Sequence, residues 1–148
     1  MTPHAELEFF NGLSGKLNIV LDVPAQPVAN LLNLQAAPDA RVVRLELHAE
    51  VFDRDTKEFR SLTPQELDSV AFRGSSIRLR GEDAEEAVSH VASNGSYFTV
   101  RELLRAVEET ERRTRAQSAW LGGVDVHHVF FESIEPGEDD AWEICWGS

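Results

Sequence analysis

The sequence predicts an α+β fold, in which a mostly antiparallel sheet of about six or seven strands carries roughly three or four helices on one side. Alternating apolar and polar stretches predict the strands, capping residues predict the helix starts, and the end of the chain reads as a hairpin. The 148 residues contain no internal repeat and no long linker, so we expect one domain with a substantial core.

Strict alternation predicts strands over 16–23, 41–52 and 76–80. In the second of these, we expect an inward row of Val43, Leu45, Leu47, Ala49 and Val51. The outward row is then Arg44, Glu46, His48 and Glu50. Its glutamates could pair with the outward Arg78 and Arg80 if the two strands are neighbours. The residues ELEFF, ahead of the turn-rich NGLSG, are predicted to form one more strand of a hairpin.

Helix starts are predicted at Thr63, Asp83 and Thr99, where a capping side chain is followed by glutamate in the first turn. Thr99 and Glu102 have the spacing of a full capping box. A shorter helix is expected from Pro27. The helix from Asp83 should bury Ala87, Val88, Val91 and Ala92, and it should place His90 one turn from Glu86 at the surface.

The helix from Thr99 is predicted to bury Val100, Leu103, Leu104 and Val107 and then to continue as a polar stretch, EETERRTR. This stretch contains three glutamate–arginine pairs at i,i+4 spacing: Glu108 with Arg112, Glu109 with Arg113, and Glu111 with Arg115. We expect a solvated helix extension, with a partner-facing arm as the alternative.

The C-terminal segment is predicted to be a hairpin: a strand over 124–134, the loop EPGEDD, and a strand ending in AWEICWG. Trp142, Ile144 and Trp146 should share its inner face, opposite Glu143 and Cys145. No lysine or arginine follows Arg115, whereas seven acidic residues do. The hairpin is therefore expected to be strongly acidic.

Two adjacent histidines in the segment GGVDVHHVFF raise the question of a metal or catalytic site. In a strand, His127 and His128 point to opposite faces and cannot easily ligate one ion. We therefore expect His128 on the same face as Phe130 and Ile134, as a core or sheet-face residue with a hydrogen-bond partner. Asp125 could instead orient His127, and His48 with Glu46 and Glu50 forms a second possible ligand set.

A formal net charge of −12 disfavours nucleic acid and anionic membranes as partners. The same charge would accelerate association with a basic protein. A single cysteine, Cys145, permits no internal disulfide, and the first residues lack a signal-peptide pattern, so we expect a cytoplasmic location. Cys145 has no cation near it in sequence and is expected to be unreactive.

These features predict a non-catalytic, acidic protein-binding domain, without a cofactor, that covers a basic protein partner as an inhibitor or immunity protein does. The predicted partner-binding residues are Trp120, Glu132, Glu135, Glu138, Asp139, Asp140 and Glu143. The alternative is a small-ligand or metal-dependent enzyme that uses histidines and carboxylates on a sheet face, namely His48, Asp125, His127 and His128. A homo-oligomer that pairs through the terminal hairpin is a third possibility.

Overall fold

The computed structural model describes residues 6–22, 41–81, 84–115 and 128–147. Their helices are α1 (Leu7–Asn11), α2 (Pro64–Leu67) and α3 (Val100–Thr114). Their strands are β1 (Ser14–Asp22), β2 (Arg41–Asp53), β3 (Glu58–Ser61), β4 (Val70–Arg73), β5 (Ser76–Arg80), β6 (Val88–Val91), β7 (Tyr97–Thr99), β8 (Phe130–Pro136) and β9 (Trp142–Gly147). The helix expected from Pro27 lies outside these residues.

Seven strands form one sheet in the order β3-β2-β1-β8-β9-β5-β6, and β4 pairs with β7 in a second, smaller sheet. Every neighbouring pair is antiparallel except β5 and β9, which run parallel. The predicted mixed fold with a mostly antiparallel sheet is confirmed. The small sheet was not predicted, and within the described residues only one of the three helices is long.

The predicted strands over 16–23 and 41–52 correspond to β1 and β2, which pair with each other along their length. Leu17 and Leu45 are buried on the inner face of the sheet, whereas Glu46 and His48 are exposed on the outer face. The outward glutamates of β2 do not face Arg78 and Arg80, because β1, β8 and β9 separate β2 from β5 and the adjacency that this pairing requires is absent.

The predicted strand ELEFF is instead part of α1. Leu7 and Phe10 are both buried, and a spacing of three residues puts them on one face of a helix rather than of a strand. The side chain of Asn11 then reaches β8, where its Nδ2 donates to the Ile134 carbonyl at 3.2 Å and its Oδ1 accepts from the Ile134 N–H at 3.0 Å. The helix thus secures the hairpin strand.

The helix predicted from Asp83 is also wrong, because residues 88–91 form the edge strand β6. Ile77 of β5 is opposite His90 in this pair. His90 does not pair with Glu86 on a helix surface, because its Nε2 lies 2.7 Å from Thr110 Oγ1 of α3. Thr110 Oγ1 donates its proton to the Ala106 carbonyl, so His90 must be the donor of this bond.

Two helix starts are confirmed. At α2, Thr63 and Glu66 form a complete capping box. At α3, Thr99 Oγ1 accepts from the Glu102 N–H at 3.1 Å, but the Glu102 carboxylate accepts from the Ser93 N–H instead of closing the box. Glu102 therefore ties the start of α3 to the chain that leaves β6.

One face of the end of α3 is buried, so the solvated extension that the sequence predicts is present only on the opposite face. Glu111 is 1% exposed and Arg115 is 3% exposed, and the two side chains form an ion pair with a distance of 2.7 Å. Arg115 also donates to the His128 carbonyl at 2.8 Å and stacks on Trp146. The pairs of Glu108 with Arg112 and of Glu109 with Arg113 are formed as predicted, at the surface.

The core lies between the inner face of the large sheet, α3 and the small sheet. Strands contribute Leu17, Leu45, Ile77, Leu79, Phe131, Ile134, Ile144 and Trp146, and α3 contributes Val100, Leu103, Ala106 and Val107. Leu104 of α3 is only partly buried. Among the described residues, no helix is both long and apolar enough to cross a membrane.

Candidate functional site

The predicted C-terminal hairpin is present as β8 and β9, which pair from Phe130 with Gly147 to Pro136 with Trp142. Its inner face carries Ile134, Ile144 and Trp146, and all three are buried, as predicted. The register shifts between Phe131 and Ser133, so one extra residue, Glu132, bulges from β8.

This bulge overturns the predicted placement of the two phenylalanines. A strict alternation back from Ile134 puts Phe130 inward and Phe131 outward, whereas the structure buries Phe131 and leaves Phe130 46% exposed. The extra residue reverses the phase of the strand between Phe131 and Ile134. The bulge leaves the Glu132 side chain exposed beside Gly147.

The tip of the hairpin is a tight turn with two consecutive aspartates in the left-handed conformation. Asp139 and Asp140 both have φ of 59°. The Ala141 N–H donates to the Glu138 carbonyl at 3.1 Å, which closes a turn of type I′. This turn favours asparagine or aspartate at the first central position and glycine at the second, so Asp140 is the less favourable of the two aspartates.

Six carboxylates of the hairpin are exposed, and we call this set the acidic hairpin: Glu132, Glu135, Glu138, Asp139, Asp140 and Glu143. All six were predicted from the sequence as partner-binding residues. The seventh predicted residue, Trp120, lies outside the described residues. Within the set, Glu135 and Glu143 are directly opposite each other on β8 and β9.

Two arginines of β5 border the acidic hairpin, and sequence reasoning did not assign them to it. Arg80 Nη1 lies 3.9 Å from the Glu143 carboxylate, and Arg78 Nη1 donates to the Asp139 carbonyl. The outward arginine row of this strand was visible in the sequence, but its neighbour was not, because only the folded order of strands brings β5 beside β9. The carboxylates still outnumber the adjacent arginines by six to two.

Cys145 lies on the outer face among these carboxylates. Partial burial raises the pKa of its thiol above the usual value, and the charges of Glu135, Glu143 and Glu132 raise it further, while a hydrogen bond with Ser133 acts in the opposite direction. A raised pKa disfavours the thiolate, the nucleophilic form. This geometry supports the expectation of an unreactive thiol.

An exposed aromatic residue adjoins the acidic hairpin at the start of β8. Phe130 is opposite Lys16 of β1, whose ammonium lies 5.9 Å from the centre of the ring. Exposed aromatic side chains beside charged groups are typical of protein-binding surfaces. Trp142 and Trp146, in contrast, face inward and pack against the core, as predicted.

Of the four residues of the alternative metal or catalytic site, the structure describes two, and each lies in a different part of the fold. Asp125 and His127 lie outside the described residues. His128 is half-buried, two residues before β8, and His48 is exposed on β2. Across the part of the chain that the structure describes, no three histidine, cysteine, aspartate or glutamate side chains are arranged to hold a metal ion.

No protein-family model, curated protein or solved structure shows significant similarity to this chain.

Proposed function

We propose that this protein is a non-catalytic, acidic protein-binding domain of the cytoplasm, and that its acidic hairpin covers a basic surface of a partner protein. The observation that carries the proposal is the exposure of six carboxylates on one hairpin, two of which are directly opposed across the strand pair. General solubility requires acidic residues anywhere on the surface, but it does not require them at these positions.

Four of the six carboxylate residues stand at less favourable positions. Glu135 and Glu143 are directly opposed, and like charges in such a pair destabilise a sheet. Asp139 and Asp140 adopt a left-handed conformation that glycine or asparagine adopts at lower cost. Unfavourable local choices that persist in a fold are typical of binding sites, where a partner later supplies the compensating contacts.

Lysine and arginine side chains of a partner would supply these contacts. The finer form of the proposal is an inhibitor or immunity protein that covers the basic active site of a toxin or nuclease. Such a site is built to bind phosphate, and closely spaced carboxylates present comparable negative charge. The net charge of −12 would also steer the two proteins together before contact.

The proposal can be tested with a capped dodecalysine peptide and two variants of equal net charge. The hairpin variant combines Glu135→Gln, Glu138→Gln, Asp139→Asn and Asp140→Asn. The control combines Glu8→Gln, Glu46→Gln, Asp55→Asn and Glu58→Gln, which are exposed residues far along the chain from the hairpin. Kd is measured by calorimetry at low and high salt.

We expect the hairpin variant to bind the peptide about tenfold more weakly than the control at low salt, a difference of about 1.4 kcal/mol. High salt should remove most of that difference, because exposed charges are screened. If both variants lose the same affinity, the binding reflects net charge alone and the hairpin is not the site.

A further inference from the structure

Within the described residues, the C-terminal half of β9 is paired with a neighbouring strand on only one side. Strand β8 pairs with it along its length, whereas β5 pairs with it only at Leu79 with Trp142 and at Arg80 with Glu143. Residues 144–146 therefore border an open cleft of about 640 Å³ instead of a neighbouring strand. Paired strands normally satisfy each other's main-chain N–H and C=O groups, so such an edge is a template for another strand.

Gly81 explains why β5 leaves β9 at this point. A Cβ atom on Gly81 would lie 2.4 Å from Glu111 Oε2 and 2.7 Å from Thr114 Oγ1, so the chain runs tightly against the end of α3. The Ala84 N–H donates to the Gly81 carbonyl at 3.2 Å. Gly81 thus meets the buried end of α3 directly after Arg80, the last residue of β5 that pairs with β9.

The cleft is acidic. Its lining includes four carboxylate residues against one arginine: Glu85, Glu138, Asp139 and Glu143, with Arg80. Three of these carboxylates belong to the acidic hairpin. An occupant that carries cationic side chains would therefore be favoured, and an anionic one would be repelled.

Two nitrogen donors that line the cleft have no acceptor among the described residues. They are Nε of Arg80 and Nε1 of Trp146, and the Trp146 side chain is only 5% exposed. A buried donor without an acceptor is unfavourable, and an occupant with carbonyl oxygens could relieve this. Because both atoms are shielded from solvent, an acceptor reaches them only if side chains around the cleft shift.

We propose that this cleft receives an extended, basic segment of the partner protein, which pairs through its main chain with residues 144–146 of β9. This inference rests on the proposed function and specifies how the partner binds. Alternate side chains of the segment meet the carboxylates of Glu138, Asp139 and Glu143, and its carbonyl groups supply the missing acceptors.

Two peptides of identical charge test the pairing: a capped Lys-Val-Lys-Val-Lys-Val peptide, and the same peptide with N-methyl groups on its valines. Methylation removes N–H donors that a strand needs and keeps every cation. We expect the methylated peptide to bind the unmodified protein at least about tenfold more weakly, because main-chain hydrogen bonds provide the affinity in strand addition. Equal Kd values would overturn the inference.

A pair of variants provides a second test. Ala84 lines the cleft, so Ala84→Trp should fill the cleft and weaken binding of the unmethylated peptide about tenfold. Ser89→Trp is the control, since Ser89 is exposed on β6 and does not line this cleft. Undiminished binding by a folded Ala84→Trp protein would also overturn the inference.

These results separate the inference from the proposed function. If the two peptides bind equally but the hairpin variant still binds dodecalysine more weakly than its control, the acidic hairpin is the site and the strand pairing is wrong. If the hairpin variant and its control bind dodecalysine equally, the proposed function itself fails.

Discussion

Glu135 and Glu143 lie directly opposite each other on adjacent antiparallel strands, with the Cys145 thiol beside them on the same face. Arg80, at 3.9 Å from Glu143, is a distant counter-charge, and Ser133 donates a hydrogen bond to Glu135 at 3.0 Å. Like charges directly opposite each other destabilise a sheet, and the cationic side chains of the proposed partner would relieve this repulsion.

The Glu135→Gln variant should be slightly more stable than the unmodified protein and should have a more reactive thiol. Removing one charge of the opposed pair should increase the free energy of unfolding by about 0.2–1 kcal/mol. It should also lower the pKa of Cys145, because Glu135 is one of the groups that raise it. Urea denaturation measures the first effect, and the pH dependence of iodoacetamide alkylation measures the second. Slower alkylation at pH 8 would contradict the assigned surroundings of the thiol.

Replacing Asp139 and Asp140 with Asn and Gly should stabilise the fold and weaken partner binding together. Asn-Gly is favoured in a turn with two positive φ values, and we expect a gain of about 1 kcal/mol in urea denaturation. The same change removes two carboxylates from the acidic hairpin, so binding of dodecalysine should weaken. A loss of stability would show that the aspartates have a structural role in the turn.

Glu66 should remain ionised in the folded protein far into the acid range. Hydrogen bonds from Arg60 first, and then from the Thr63 N–H, lower the pKa of Glu66 to about 2 from its ordinary value of 4.5. Its contribution to stability is complete above pH 4.5 and is lost as the pH falls through about 2. In Arg60→Gln the pKa should move up toward 4.5, which an NMR titration of the Glu66 carboxyl measures. An unchanged titration would show that Arg60 does not hold the carboxylate.

The buried ion pair at the end of α3 should tolerate the loss of both partners better than the loss of one. Arg115→Met removes the ion-pair partner of Glu111 at a site where Glu111 is 1% exposed, and we expect a cost of about 3–5 kcal/mol. The double variant Glu111→Leu with Arg115→Met should cost less than this, because no buried charge remains. Urea denaturation of both proteins provides the comparison, and a more costly double variant would mean that the pair contributes through contacts other than charge.

Local patterns predicted β1, β2, β5, β9 and the starts of α2 and α3, because alternation and capping are properties of neighbouring residues. Residues 88–91 show where prediction from local patterns fails. The acidic residues before this segment and the spacing of its apolar residues suit a helix, but pairing with β5 makes the segment a strand. Such pairing depends on residues distant in sequence, and it overrides local propensity.

Only part of the candidate site could be predicted, because local patterns do not encode contacts between distant residues. Its six carboxylates were identified because an unbroken absence of lysine and arginine marks the end of the chain. The opposition of Glu135 and Glu143, and the neighbouring arginines of β5, depend on register and strand order, which no local pattern encodes. The burial of Glu111 and Arg115 was missed because a polar helix end gives no sign of the partners that it meets in the fold.

The most direct test of the central claim is an NMR titration of the ¹⁵N-labelled protein with dodecalysine. We expect the backbone amide shifts to concentrate in residues 132–146, across the bulge, the turn and the opposed glutamates. Shifts that concentrate instead around the acidic residues of β2 and β3, or that spread evenly over the surface, would contradict it.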